Sequence, residues 1–184
     1  MRQFTLICLL LTAMPAFAAD SEPPEEVFDR SPFEFRFAIP DSFGKPVNGK
    51  SAYLDTDAGK APYRQLDWEN GGDVIVVRWM VVPDASWRSK TPEKMLTDAK
   101  TLILRGNNVK LISERDYKIG ECPARSFILS TTGDRPNFQR IDYILAKPDL
   151  NVVMYASPKK EALDGSACSE LFKSIAIEPK KPKK

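Results

Sequence analysis

The stretch Val74–Val82 constrains the fold most, because it is apolar at every position except Arg78. A strand that is apolar on both sides has to be covered by protein on both faces. The preceding residues, Asn70-Gly71-Gly72-Asp73, are typical of a tight hairpin turn, and Pro83 ends the stretch. The sequence therefore predicts a central strand of a sheet that carries a layer on each face.

Most of the remaining chain shows the alternation of apolar and polar residues that is typical of half-buried strands. The clearest case is the run Phe33–Ile39, where aromatic and aliphatic side chains occupy every second position before Pro40. Further predicted strands are Ser51–Leu54, Tyr63–Glu69, Val109–Ile119, Ala124–Thr131, Phe138–Lys147 and Val152–Ser157. Turn residues at 132–137 and 147–149 favour an antiparallel meander for the last three.

Two helices are predicted among these strands. Thr91-Pro92-Glu93 combines an N-cap, a proline at the first helical position and an acidic first turn. Apolar residues then follow at helical spacing, which predicts one long helix over about 92–105. A second, short helix is predicted over 166–174, near the C-terminus. The fold class is therefore α+β, with both helices packed on an antiparallel β-sheet.

The N-terminus has the pattern of a secretory signal peptide, predicted over residues 1–18. A basic Arg2, an apolar run at 4–11 and the small-x-small motif Ala16-Phe17-Ala18 make up this pattern. The apolar run is shorter than the roughly 20 residues that span a bilayer, so we expect no transmembrane anchor. Cys8 lies inside the apolar run rather than at the cleavage point, which argues against a lipid anchor. We expect a soluble periplasmic or secreted protein.

Three further segments follow the signal peptide. Residues 19–32 are acidic and proline-rich and are predicted to be an extended leader. Residues 33–178 are predicted to form a single domain. Residues 179–184 are predicted to be a disordered basic tail, whose lysines would make weak contact with an anionic surface. These lysines are Lys180, Lys181, Lys183 and Lys184.

Two cysteines, Cys122 and Cys168, remain after the signal peptide. In an oxidising compartment the simplest prediction for such a pair is one structural disulfide. A redox-active pair is the alternative, but the Cys-x-x-Cys spacing that supports it is missing.

The sequence contains no histidine, which excludes Ser-His-Asp and Cys-His catalysis and zincin-type zinc sites. The stretch Gly44–Ser51 fits the phosphate-binding loop consensus, but the residues after it are typical of a strand rather than a helix. We therefore expect a non-enzymatic protein with no metal and no cofactor. The alternative is a glycan hydrolase that works with carboxylates alone, for which Asp67, Glu69 and Asp73 are the candidates.

The 27 basic and 25 acidic side chains nearly balance, so a nucleic-acid-binding face is not expected. The expected partner is instead an unidentified protein or a component of the cell envelope. Binding residues are expected in loops, because loops carry function on rigid scaffolds. The candidate binding residues are Phe43, Trp87, Arg88 and Arg135.

Three segments carry a family resemblance: Phe35–Phe43, the helix start Thr91-Pro92-Glu93 and the segment Leu171–Ile175. Together they resemble the PsbP-like superfamily, which includes the extrinsic photosystem II subunit and DcrB-like envelope proteins. The resemblance implies an α/β/α sandwich around an antiparallel sheet, used for docking onto partners rather than for catalysis. It transfers no catalytic or ligand-binding residue, because the matched positions are structural. An inhibitor or immunity protein against a wall-degrading enzyme is one concrete form of this function.

Overall fold

The computed structural model describes residues 22–23, 26–29, 31–56, 58–105, 108–132 and 136–180. Its centre is a seven-stranded antiparallel sheet with the strand order β2-β3-β4-β8-β7-β6-β5. The strands are β2 (Asn48–Thr56), β3 (Gly59–Asn70), β4 (Asp73–Val81), β5 (Val109–Ile119), β6 (Cys122–Thr131), β7 (Phe138–Ala146) and β8 (Asp149–Ser157). A separate antiparallel ribbon pairs β1 (Phe33–Arg36) with β9 (Ala176–Pro179).

The helices are α1 (Glu26–Asp29), α2 (Asp84–Ser89), α3 (Pro92–Leu104) and α4 (Ser166–Ser174), with 3-10 turns at Asp41–Phe43 and Lys160–Asp164. The long helix begins as predicted, because the Thr91 side chain accepts a hydrogen bond of 3.2 Å from the backbone N–H of Lys94. Helix α2 was not expected from the sequence, since it is too short to show a helical repeat of apolar residues. The α+β class and the mostly antiparallel sheet are confirmed.

Strand β4 is central and is covered on both faces, as its composition predicts. On one face, Ile75 and Val77 belong to a core cluster that includes Leu171 of α4. On the other face, Val74 and Val76 belong to a second cluster. There, Ile103 and Leu104 of α3 pack against it. A helical layer therefore lies on each side of the sheet, and we call the two sides the α4 face and the α3 face.

The predicted disulfide is not formed: Cys122 and Cys168 are both buried free thiols. Both belong to the core cluster of the α4 face, but they come from different elements: Cys122 begins β6, and Cys168 lies in the first turn of α4. A disulfide needs α-carbons within about 7 Å, and packing in one core cluster does not by itself bring two α-carbons that close.

The segment that was predicted to be an extended leader contains a helical turn, α1. Its Phe28 ring lies 4.9 Å from the guanidinium of Arg64 on β3, so this turn rests on the sheet domain. At the other end, the backbone N–H of Lys180 donates to the carbonyl of Pro32 at 2.7 Å. The predicted signal peptide and the other three tail lysines lie outside the described residues. Within the described part of the chain, no helix has the length and apolarity needed to cross a membrane.

Candidate functional site

The predicted binding residues Trp87 and Arg88 lie together at one end of the sheet. Pro83 directs the chain out of β4 and into α2, where Ser86 closes the first turn onto the Pro83 carbonyl at 2.9 Å. The Trp87 indole N–H donates to the carbonyl of Pro148, in the turn between β7 and β8, at 3.0 Å. This hydrogen bond fixes the ring between the short helix and the turn.

Around this ring the surface forms a depression of about 240 Å³, which we call the Trp87 depression. It is lined by Asp84, Trp87, Arg88 and Lys147. Trp87 is half-buried, while the three charged residues are exposed. The Lys147 ammonium lies 6.0 Å from the centre of the Trp87 ring, at the outer limit of a cation–π contact. The depression therefore combines one fixed aromatic ring with a charged rim.

The other two predicted binding residues do not join this surface. Phe43 ends a 3-10 turn and is only 6% exposed, with its ring 6.2 Å from that of Tyr155 in the core of the α4 face. Its aromatic character reflects packing, because the turn points it inward rather than into solvent. Arg135 lies outside the described residues.

A second depression, of about 320 Å³, lies over β5, which is an edge strand, and its neighbours β6 and β7; we call it the β5–β7 depression. It is lined by Ser113, Glu114, Arg115, Tyr117, Ser126, Ile128 and Arg140. Tyr117 and Ile128 pack against the core of the α4 face, so the depression opens on that side of the sheet.

The β5–β7 depression is built on a buried carboxylate, Asp142. Asp142 accepts hydrogen bonds from Arg140, through Nε at 3.1 Å and Nη2 at 3.0 Å, and from the Tyr117 hydroxyl at 2.6 Å. The Arg140 guanidinium also stacks on the ring of Phe172 in α4, 3.8 Å from its centre. Arg140 is thereby held from two sides.

The electrostatics of this cluster follow from burial and from the single carboxylate. Burial raises the pKa of the Tyr117 hydroxyl, and the neighbouring charge of Asp142 raises it further. For Arg140, burial opposes the charge, but the hydrogen bonds and charge of Asp142 outweigh it, so the pKa is raised. Arg140 is therefore charged and Tyr117 neutral at any physiological pH.

The β5–β7 depression was not predicted from the sequence. The sequence feature that indicates this depression is the pair Arg140 and Asp142, which alternate along β7 with Ile141 and Tyr143. The next residue on the face of Arg140 and Asp142 is Ile144, which belongs to the core. The two charged residues therefore occupy positions of the strand at which its pattern predicts apolar side chains. A charged residue on a core-facing position of a strand needs a partner and is therefore a marker of a polar cluster.

The carboxylates of the hydrolase alternative do not meet in one place. Asp67 is buried on the α3 side of β3, where it accepts from Gln65 Nε2 at 2.8 Å and from Asn48 Nδ2 at 3.4 Å. Glu69 follows two positions later on the same side of the strand, and is exposed. Asp73 accepts from the Tyr155 hydroxyl, which belongs to the core of the α4 face. None of the three carboxylates lines either depression.

Within the described residues, no group of three or more acidic or cysteine side chains is arranged to hold a metal ion.

Comparisons with known proteins give similarities of fold only. No family model and no curated protein matches the sequence. Among the solved structures, 17 chains match. LpqN of Mycobacterium tuberculosis, described as involved in cell envelope biogenesis, is 9% identical with a TM-score of 0.46, over 88% of this chain and 100% of that one.

Two Pseudomonas aeruginosa proteins are also similar. The immunity protein TplEi of T6SS is 12% identical with a TM-score of 0.44, over 80% of this chain and 55% of that one. The protein of unknown function PA94 is 12% identical with a TM-score of 0.37, over 71% of this chain and 86% of that one. At these identities and TM-scores the similarities indicate nothing about function.

Proposed function

We propose that this chain is an exported, non-enzymatic accessory protein that acts by contact with another protein or an envelope component, through the Trp87 depression. The single observation that carries the proposal is the Trp87 ring, fixed at the mouth of a surface depression and open to solvent. The signal-peptide pattern of residues 1–18 supports export.

The geometry around Trp87 is that of an anchor for a protein partner. Tryptophan is enriched among the residues that dominate binding energy, because one ring buries a large area at a small cost in conformational entropy. The hydrogen bond from the Trp87 indole to Pro148 lowers that cost further, since the ring is already held in the unbound protein. The remaining exposed area of the ring is then available to a partner.

The charges at the rim indicate what the partner presents. Arg88 and Lys147 are positive and Asp84 is negative, so the rim carries a net positive charge. Complementary charge at a rim accelerates and orients association more than it adds affinity. We therefore expect an apolar group on the partner to contact Trp87, with acidic groups around it.

The carboxylate-only hydrolase is disfavoured by the same structure. A glycosidase needs two carboxyl groups on either side of one bond, roughly 5 to 10 Å apart. Here Asp67 is buried and held by two side-chain amides, while Asp73 is bonded to Tyr155 on the opposite face. Asp67 and Glu69 lie on the same side of β3, but neither of them lines the Trp87 depression or the β5–β7 depression.

We further propose that the fold is a PsbP-like sandwich. One concrete form of the proposed function is an inhibitor or immunity protein against a wall-degrading enzyme. The helical layer on each face of the antiparallel sheet supports this architecture. An inhibitor of this kind is recognised by a measurable loss of peptidoglycan hydrolysis when the purified chain is added to murein hydrolases.

Site-specific photo-crosslinking tests the proposed contact surface. Benzoylphenylalanine at position 88, in the rim, is compared in the producing cell with the same probe at position 161, in the exposed 3-10 turn after β8. We expect a discrete crosslinked species from position 88 only, which disappears when Trp87→Ala is added. Equal crosslinking at both positions, or none at position 88, contradicts the proposal.

A further inference from the structure

The β5–β7 depression contains a guanidinium that is fixed before any ligand arrives. Nε and Nη2 of Arg140 bond Asp142, and the plane of the group stacks on Phe172. Nη1 takes part in neither bond to Asp142. An arginine that is held in one orientation loses little conformational entropy when it binds an anion, which favours recognition at this point.

The depression also offers polar groups that the fold does not use. Within the described part of the chain, the side chains of Arg115, Ser113 and Ser126 make no hydrogen bond or ion pair. Arg115 is exposed and Ser126 is half-buried. One guanidinium and two hydroxyls are therefore free to donate to a ligand.

The local charge favours an anion. The carboxylate of Asp142 balances Arg140, which leaves Arg115 as an uncompensated positive charge. The neighbouring carboxylates of β5 are already paired toward α3: Glu114 with Lys100 at 2.7 Å, and Asp116 with Arg125. An incoming anion therefore meets Arg115, while Glu114, the carboxylate that also lines the depression, is already paired with Lys100.

The walls and the size limit the ligand further. The Tyr117 and Ile128 side chains are half-buried against the core and give the depression an apolar wall. Its volume of about 320 Å³ lies at the lower end of small-molecule sites. The site suits a small organic molecule with an apolar body.

We propose that the β5–β7 depression binds the oxyanion group of a small organic ligand, a carboxylate or a phosphate, with Arg115 and Arg140 as its cationic donors. Ser113 and Ser126 contribute hydroxyl donors, and Tyr117 and Ile128 contact the ligand's apolar part. This site shares no residue with the Trp87 depression, so a negative result for one site does not contradict the proposal for the other.

Titrations followed by ¹H–¹⁵N NMR on the full chain test this proposal. The probes are phenyl phosphate, benzoate, inorganic phosphate and benzyl alcohol, each to millimolar concentration. We expect saturable shifts in the amides of β5–β7 with phenyl phosphate, benzoate or both, and none with benzyl alcohol. The better of the two ring-bearing probes identifies the oxyanion, and inorganic phosphate shows how much the apolar wall adds. The absence of saturable shifts at these strands with both charged probes overturns the proposal.

Variants separate a built site from general attraction of anions. Arg115→Ala should weaken binding of the better probe about 10-fold, the typical loss of one charged hydrogen bond. Ser126→Ala should weaken it by a smaller factor. Arg140 is left unchanged, because its removal leaves the buried carboxylate of Asp142 without its cationic partner and destabilises the fold.

Lys118→Ala is the matched control, since Lys118 is an exposed cation of the same strand that alternates to the α3 face. We expect this control to leave the affinity unchanged. An equal loss in Arg115→Ala and Lys118→Ala, with circular dichroism showing both folded, contradicts the proposed site.

Discussion

At the scale of single residues, Asp142 is the charge on which the polar cluster depends. Its side chain is buried, and its donors are Arg140 and Tyr117. Removal of a buried acceptor leaves its donors without a partner, which costs more than the bond itself contributes. The Arg140 side chain is 29% exposed, so water compensates it in part.

We expect Asp142→Ala to lower the free energy of unfolding by about 1–3 kcal/mol in urea denaturation. Glu178→Ala is the control, because Glu178 forms an exposed ion pair with Arg36 at 3.2 Å. Such pairs contribute about 1 kcal/mol or less. Equal effects from the two substitutions contradict the structural role of Asp142.

Buried ionisable groups make the stability depend on alkaline pH. Burial raises the pKa of the Cys168 thiol and of the Tyr143 hydroxyl, each to about 12. In the unfolded chain these groups lose their protons at about 8.5 and about 10. Above those values the unfolded state binds fewer protons than the folded state, so the free energy of unfolding falls as pH rises toward 12.

Urea denaturation between neutral pH and pH 11 measures this fall. In Cys168→Ala, the loss of free energy of unfolding that begins at about pH 8.5 should be smaller. Stability that stays constant or rises across this range contradicts the burial of these groups.

The two thiols provide a separate test of the core. We expect Cys122 and Cys168 to be unmodified by a thiol reagent in the native protein and to react fully after denaturation, in a chain that carries Cys8→Ser. The reason is that both thiols are buried and burial raises the pKa of each. A disulfide-linked peptide containing both residues in the purified protein contradicts this prediction.

At the scale of elements, the hydrogen bond at the start of α3 is the contact that the sequence predicts most directly. The Thr91 side chain caps the helix by accepting from Lys94 N–H. We expect Thr91→Ala to lower the free energy of unfolding by about 1 kcal/mol, and Thr91→Ser to leave it nearly unchanged. Thermal unfolding of the two variants measures the difference, and equal losses contradict the cap.

Elements with a complete local signal were predictable from the sequence. The strand Val109–Ile119 was predicted with its observed bounds, and α3 ends within one residue of its prediction. Strands without such signals were predicted too short: Asn48–Thr56 begins three residues before its predicted start, because a Gly-containing edge strand shows little apolar alternation.

At the scale of the whole molecule, the sequence predicts the layers of the fold better than it predicts the two surface depressions. The composition of β4 requires cover on both faces, and α3 and α4 provide it. Trp87 and Arg88 were predictable as surface residues of a polar connection, although Trp87 is half-buried. Lys147 joins them only through the turn between β7 and β8, and Arg115 meets Arg140 across three strands. Such contacts depend on strand order, which local patterns do not specify.

The affinity of the crosslinked partner for the purified chain tests the proposed contact most directly. With that partner in hand, Trp87→Ala should weaken binding about 30-fold or more, the loss expected for a dominant interface residue. Lys160→Ala, in the exposed 3-10 turn after β8, should leave it unchanged. An affinity that does not change in Trp87→Ala contradicts a protein that works through the Trp87 depression.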